Sequence, residues 1–512
     1  MKERQRPSPQ ENGPSGAGKR FFRVFFSAAG VLLLSKALGF VKQMATASAF
    51  GADAETDLIN LATGFIGNSQ YLLVQALLTA FLPVYIHIQD EREAGRFASD
   101  ALKAVTVIAS GAIGVILLAA PLAARLIAPS YGAEASRELA MWLRLLSPAL
   151  LLFLWIAVFQ SLLDAHQRFL PGQLEGLNQS VILLLLLPVL APRLGPKTLA
   201  VGLLAYTAWN AVFLGALGWK YRGPSRGSPF RNPAMRELLR MMAPTLLGQS
   251  LVYVNQLVDK SLASGLTAGT VTAMSCAAVL SNLVGTFVTT FCSMLFSYIT
   301  AQISRGDGEG AARLAVRSAS LLILAFLPVS VLTVLCAEDI VSIVYARGAF
   351  DASAVRSATQ ALRGYGLMFV PLALRDLFSR FQYGYKDTRR PMVNSSVGIA
   401  ANIVLSVALC PRLGVLGITL ATSVSVLLCG LLNLTSARRH NAALSFRPLM
   451  GLLPWAGAGG VLCALAARWV ITGPLAGSAP LLRFTLAALL GFGAFLPFAA
   501  LPLWKLLRRP RK

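Results

Sequence analysis

The sequence is poor in charge. Of its 512 residues only 13% are Asp, Glu, Lys or Arg, about half the ~25% usual in a soluble domain. Acids are the scarcer sign, 22 against 46 basic residues, for a formal net charge of +24. Histidine is almost absent. His87, His166 and His440 are scattered and form no HExxH pattern, so no metal site is read. The six cysteines show no CxxC spacing, which argues against a zinc site or a disulfide framework. They read as small buried apolar residues. No nucleophile–base pair stands out, so an enzyme is not expected.

One nucleotide-like motif needs discounting. GPSGAGKR (13–20) carries the G-x-x-x-x-G-K of a phosphate-binding loop, but Arg20 replaces its Ser or Thr and no buried strand precedes it. It reads as part of a flexible basic tail, so ATP is not the expected energy source. No cleavage pattern marks a signal peptide there, so the first apolar run is expected to remain.

What the chain does have is long apolar runs; 55% of residues are hydrophobic. A membrane helix needs ~20 apolar residues. Fourteen candidates fall near 24–49, 57–87, 101–128, 140–164, 170–192, 198–219, 238–264, 270–302, 313–344, 356–384, 391–411, 414–436, 448–471 and 482–507. The expected fold is an all-α polytopic membrane protein. Basic residues cluster before the first span, after spans six, ten and twelve, and at the end, while GADAET (51–56) and GLTAGT (265–270) have none. The positive-inside rule then puts both termini in the cytoplasm. In this setting the net charge sets topology and does not point to nucleic acid.

The chain also looks duplicated. Residues 41–48 of span one line up with 254–261 of span seven. FQSLLDAHQRFLP (159–171) lines up, with one gap, with FSRFQYGYKDTRRP (378–391), and Asn178 and Asn402 follow in the next spans. The expected organisation is a basic tail (1–23), a six-helix lobe (24–219), a basic loop (220–237), a second six-helix lobe (238–440) and two added helices with a basic end (441–512). Both copies start on the same side, so the repeats are parallel. Transporters built this way hold substrate between the halves and rock.

Polar groups inside the spans are the candidate site. A lysine at the centre of a membrane helix costs roughly 2.5–3.5 kcal/mol on insertion scales. Lys36 and Lys42 in span one are six residues apart, ~9 Å along the helix and about 120° around it. They cannot form one stripe but can border one cavity. Cations buried without an acid suggest a visiting anion; snorkelling to the interface is the bland alternative. Gln43, Gln70, Gln75 and Asn255 supply polar walls. Asp57, Asp259, Lys260, Glu175, Arg375 and Asp376 are candidates for gating or ion coupling. Asp376 and Arg380, four apart, are spaced to pair, and Glu175 fits either a coupling cation or a helix cap.

SKALGFVKQMATASAFGADAETD (35–57) resembles the first-span signature of the MviN/MurJ family, lipid II flippases of the multidrug/oligosaccharidyl-lipid/polysaccharide exporter superfamily. Ser35, Leu38, Gly39, Phe40, Ala47, Phe50, Gly51 and Asp57 match it, with lysines at its two arginine positions. QLVDKSLASGLTAGTVTAM (256–274), YARGAFD (345–351), YKDTRRPMVNSSVGIAANIVLSV (385–407) and LGVLGITLATSVS (413–425) are similar to further family segments. The resemblance implies a V-shaped, two-lobed transporter of the bacterial cytoplasmic membrane with a central cationic cavity. It implies alternating access that carries lipid II, the undecaprenyl-pyrophosphate-linked peptidoglycan precursor, to the outer leaflet, with the last two helices forming a groove for the lipid tail. Cell-wall synthesis proteins are the implied partners. The membrane potential or a coupling cation would drive transport.

The chain departs from the pattern twice. Residues 67–78 of span two hold no basic residue, and Val279 stands at the arginine position of span eight. Two other readings stay open beside lipid II. One is a flippase for another lipid-linked oligosaccharide. The other is a non-transporting scaffold of a cell-wall synthesis complex, which leaves Lys36 and Lys42 unexplained. A cation-coupled exporter of cationic drugs would need acids where the lysines stand.

Overall fold

The computed structural model describes residues 14–225, 228–473 and 475–508, all in helices, turns and loops with no strand among them. The first lobe holds α1 (Pro14–Phe50), α2 (Ala54–His87), α3 (Glu91–Ile127), α4 (Ala133–Leu146), α5 (Ala149–Ala165), α6 (Leu170–Gln173), α7 (Glu175–Leu194) and α8 (Thr198–Gly218). The second holds α9 (Pro233–Ser264), α10 (Thr270–Ser304), α11 (Gly308–Leu335), α12 (Ala337–Tyr345), α13 (Ala352–Gly366), α14 (Phe369–Gly384), α15 (Arg389–Leu413) and α16 (Val415–His440). The added pair, α17 (Arg447–Thr472) and α18 (Pro480–Arg508), packs on α11.

Ten helical stretches among the described residues are long and apolar enough to cross a membrane. One of them, Leu170–Tyr221, covers the expected fifth and sixth spans. The expected first, seventh and tenth spans fall on α1, α9 and the pair α13–α14, outside that set.

Local chemistry breaks three expected spans. The fourth divides at Ser147-Pro148 into α4 and α5, and the tenth at Leu367-Met368 into α13 and α14. The ninth ends at Leu335. Glu338 and Asp339 then occupy the first turn of a separate α12, where acids suit the positive end of the helix dipole. Residues 14–23, expected as flexible tail, are instead the first turns of α1, so residues 14–20 of that motif are helical. Residues 1–13 lie outside the described residues.

The repeat is explicit in the backbone. Among the described residues two non-glycine residues have positive φ: Gln167 at 58° after α5 and Lys386 at 61° after α14. They are equivalent in the alignment of 159–171 with 378–391. Each is followed by the same closing bond, Arg168 N to Leu163 O at 2.8 Å and Asp387 N to Gln382 O at 3.1 Å. The fifth and eleventh spans both end in PRLG, at 192–195 and 411–414. Their glycines adopt one conformation, φ 57°, ψ −142° for Gly195 and φ 58°, ψ −138° for Gly414. Asn178 and Asn402 each donate to the following span, to Asn210 at 2.9 Å and to Thr422 at 3.2 Å.

The apolar core does not divide along the lobe boundary. One cluster runs through the first lobe and takes in Met235 and Met242 of α9, Met274 and Leu280 of α10, and Val341 of α12. A second fills the rest of the second lobe and reaches Phe495 of α18. Between the lobes the largest shared face is that of α2 and α9, where Tyr253 donates to Phe65 O at 3.3 Å and accepts from Ser69 Oγ at 3.4 Å.

Candidate functional site

A cavity of about 370 Å³ lies between the lobes, walled by α1, α2, α7, α8, α9 and α10. Its charged lining residues are Lys42 of α1 and Lys260 of α9, one from each lobe; among the described residues no acid lines it. Neither lysine makes an ion pair among the described residues. The remaining wall is mainly uncharged and polar: Gln43, Thr46, Asn60, Thr63, Gln70, Gln179 and Ser275. Leu183, Leu199 and Leu203 form an apolar side. Two cations facing neutral hydrogen-bonding groups can offer charge-assisted hydrogen bonds.

Gly64 faces the Lys260 ammonium, which a side chain at that position would displace. A Cβ on Gly64 would sit 2.4 Å from Lys260 Nζ. Gln43 donates to Cys276 Sγ at 3.5 Å, and Gln70 donates to Glu175 Oε1 at 3.2 Å, bridging α2 to the start of α7. Glu175 is thereby engaged within the first lobe, in the first turn of its own helix.

Several candidates stand elsewhere, and these placements correct the sequence reading. Lys36 is exposed and does not line the cavity. The six-residue offset from Lys42 turns it off the cavity face. Gln75 also lies outside the lining; its carbonyl accepts the Thr79 hydroxyl. Asn255 faces a different cavity inside the second lobe, together with Arg375 and Asp376. The expected Asp376–Arg380 pair does not form. Arg375 takes Asp376 instead, donating from Nε at 3.1 Å and Nη2 at 2.9 Å to the same Oδ1. Asp259, next to Lys260, points the other way and accepts from Ser406 Oγ at 3.0 Å. Adjacent helical residues diverge by about 100°, so one serves the central cavity and the other the lobe interior. Among the described residues no three His, Cys, Asp or Glu side chains cluster as a metal site.

Asp57 closes one end of the cavity. From the first turn of α2 it accepts three bonds from the second lobe: Thr272 N at 2.7 Å, Thr272 Oγ1 at 2.6 Å and Val271 N at 3.2 Å. A carboxylate on the first turn of α10 satisfies free N–H groups and meets the positive helix end. Asn60 donates to Thr272 Oγ1 at 2.8 Å, Ala349 N donates to Ser48 O at 2.8 Å, and Ser130 Oγ donates to Ser264 O at 3.0 Å. Three glycines with positive φ permit this approach. A Cβ on Gly51, Gly269 or Gly348 would sit 2.1–2.2 Å from Ala349 O, Ala52 O or Ser48 O. The sequence offered a signal for this seal in its glycine-bearing junctions at 51–56 and 265–270, which lack basic residues, but not which junctions meet.

The sequence matches a family model. The model described as lipid II flippase MurJ covers residues 46–495. The chain belongs to the MurJ family. A probable lipid II flippase MurJ of Rhizobium tropici is 26% identical over 476 residues, 89% of this chain and 88% of that protein. Another, of Synechocystis sp., is 25% identical over 450 residues, 80% of each. Among solved structures, a lipid II flippase MurJ in an inward closed conformation superposes with TM-score 0.80 at 17% identity, over 94% of this chain and all of that one. An inward-facing multidrug resistance MATE family transporter of the MOP superfamily gives TM-score 0.66 at 14% identity, over 80% and 95%. Lys260, on α9, brings a positive charge from the second lobe into the central cavity.

Proposed function

We propose that this chain is a lipid II flippase that works by alternating access. The observation that carries the reading is the acid-free cavity with Lys42 and Lys260 contributed by opposite lobes, in a member of the MurJ family. Lys42 and Lys260 hold the pyrophosphate through charge-assisted bonds, and the amide and hydroxyl wall contacts the saccharide. The lipid tail stays in the bilayer beside α17 and α18. Breaking the Asp57 seal while the opposite end closes delivers the headgroup to the other face.

The protein resides in the bacterial cytoplasmic membrane with both termini inside, as the basic loops require. Outward movement of a pyrophosphate is assisted by an inside-negative potential, roughly 2.3 kcal/mol per charge per 100 mV. No chemical step on the substrate is invoked. Cells depleted of their own lipid II flippase provide the test. Wild type, Lys42→Ala and Lys260→Ala are expressed, membrane levels are matched, and labelled lipid II in the outer leaflet is measured. Rescue by wild type and loss in both variants is the expected result. No rescue by wild type at full membrane level would exclude lipid II and favour another polyprenyl-linked saccharide. Full activity of both variants would remove Lys42 and Lys260 from headgroup binding.

A further inference from the structure

The second cavity, about 520 Å³, lies inside the C-terminal lobe and is walled by α9, α14, α15 and α16. Helix α9 is the partition between the two cavities. Asn255 faces this one and Lys260 the central one. Their five-position offset is ~7.5 Å along the axis and about 140° around it.

Three charges line the cavity: Arg375, Asp376 and Arg380. The Arg375 guanidinium is occupied by Asp376. Arg380 is half-buried, and among the described residues no carboxylate lies within ion-pair distance of it. The lining therefore carries a net positive charge with a guanidinium fork left unpaired. Ionisable groups buried within a membrane protein are costly unless they serve a ligand or a pathway.

The repeat shows that the architecture does not require these charges. Aligning Phe159 with Phe378 puts Ile156, Ala157 and Ser161 at the positions of Arg375, Asp376 and Arg380. All three are buried in the first lobe. There α1 and α7 close on each other through small residues: a Cβ on Gly176 would sit 2.7 Å from Ser35 Oγ, and one on Gly39 3.8 Å from Ser180 Oγ. One lobe fills the equivalent space, and the other keeps it open and charged.

The open cavity is also preorganised. Gly430 lets α16 approach α14, since a Cβ there would lie 3.3 Å from Pro371 O and 3.5 Å from Arg375 N. The Ser379 hydroxyl is fixed by Asn433 Nδ2 at 2.8 Å and by Arg375 O at 2.7 Å. Across from α14, the buried Oδ1 of Asn255 has no hydrogen-bond partner. The same amide, turned about its last bond, offers a donor.

We propose that this cavity is an anion-binding site in which Arg380 is the principal ligand, taking an oxyanion of the carboxylate or phosphate type. The planar fork of Arg380 matches two oxygens of such a group. Two sources supply that chemistry: a free anion from the aqueous side, or an anionic group of the transported headgroup. The second source rests on the flippase reading; the first does not.

Purified full-length protein in nanodiscs separates these cases. Inorganic phosphate and acetate are titrated at constant ionic strength and binding is followed by calorimetry, with lipid II titrated in a second arm. Wild type and the Lys42→Ala/Lys260→Ala double variant should bind phosphate or acetate saturably. Arg380→Gln should weaken this at least tenfold, and Arg380→Lys less. Weakening in the small-anion arm alone assigns a free anion, and weakening that includes lipid II assigns the headgroup. Arg380→Lys, which keeps the charge, serves if the glutamine variant does not fold. Unchanged binding of both probes on losing Arg380 overturns the proposal, as does phosphate binding that vanishes only in the lysine double variant. Failure of wild type to bind lipid II would count against the flippase reading, and the small-anion arm would still decide this one.

Discussion

Removing the Asp57 carboxylate should open the seal between the lobes. Asp57 is buried, at 2% exposure, and accepts three bonds of 2.6–3.2 Å from the first turn of α10. Hydrogen bonds to a charged group contribute roughly 1.5–3 kcal/mol each. In Asp57→Ala the freed N–H groups recover part of this from water entering the seal, so the net shift is roughly 3 kcal/mol. At 1.4 kcal/mol per decade that is about a 100-fold change in the ratio of sealed to open states. Asp57→Asn keeps one acceptor and should fall between. A native reporter stands behind the seal: Cys276 lines the central cavity and is fully buried. In right-side-out vesicles a membrane-impermeant maleimide should label Cys276 slowly in wild type, faster in Asp57→Asn and fastest in Asp57→Ala, with Cys276→Ala as background. Equal labelling rates in wild type and Asp57→Ala, at equal expression, would refute the assignment of the seal to these bonds.

The same assay should show Gly51→Ala and Gly269→Ala shifted toward the open state, because each added Cβ meets a carbonyl oxygen of the opposite lobe at 2.1–2.2 Å. Loss of one lysine–phosphate contact, in Lys42→Ala or Lys260→Ala, should weaken lipid II binding about 10- to 150-fold, as expected for roughly 1.5–3 kcal/mol. Arg483→Ala strands Asp339, buried at 2% exposure, without its cation, and should destabilise the α12–α18 junction by roughly 3–5 kcal/mol in thermal unfolding. Burial opposes charge on Asp387, but the Arg390 N–H, the His440 imidazole and the Arg389 N–H outweigh it and hold the carboxyl below its ordinary 3.8. A lowered folded value means stability that is present above pH 3.8 and lost as pH falls through the folded value. Asp387→Asn should flatten the acid limb of an unfolding curve below pH 4, leaving the curve near neutrality parallel to wild type.

The chemistry of the site was legible in part. Lys42, Gln43 and Gln70 stand out in sequence because a polar group in an apolar run is conspicuous wherever the chain goes. Lys36 was equally conspicuous yet lies outside the cavity, since conspicuousness does not say which way a helix is rotated. Asp259 and Lys260 show the same limit: neighbours in sequence, they serve opposite faces of α9. The four-residue spacing of Asp376 and Arg380 permitted a pair, but the adjacent Arg375 reaches the carboxylate first and leaves Arg380 free.

By itself the sequence determined the membrane-spanning, all-helical class, the basic ends and the duplication, because hydropathy, charge in short loops and repeated PRLG-type motifs act locally along the chain. Only the tertiary structure decided that Asp57 caps a helix of the other lobe, that Lys42 and Lys260 share one cavity, and that one lobe is packed shut where the other holds a charged space. Those outcomes depend on contacts between residues some 200 positions apart, such as Asp57 with Thr272. They are fixed by helix rotation and by glycines that allow backbones to meet, which no local pattern specifies.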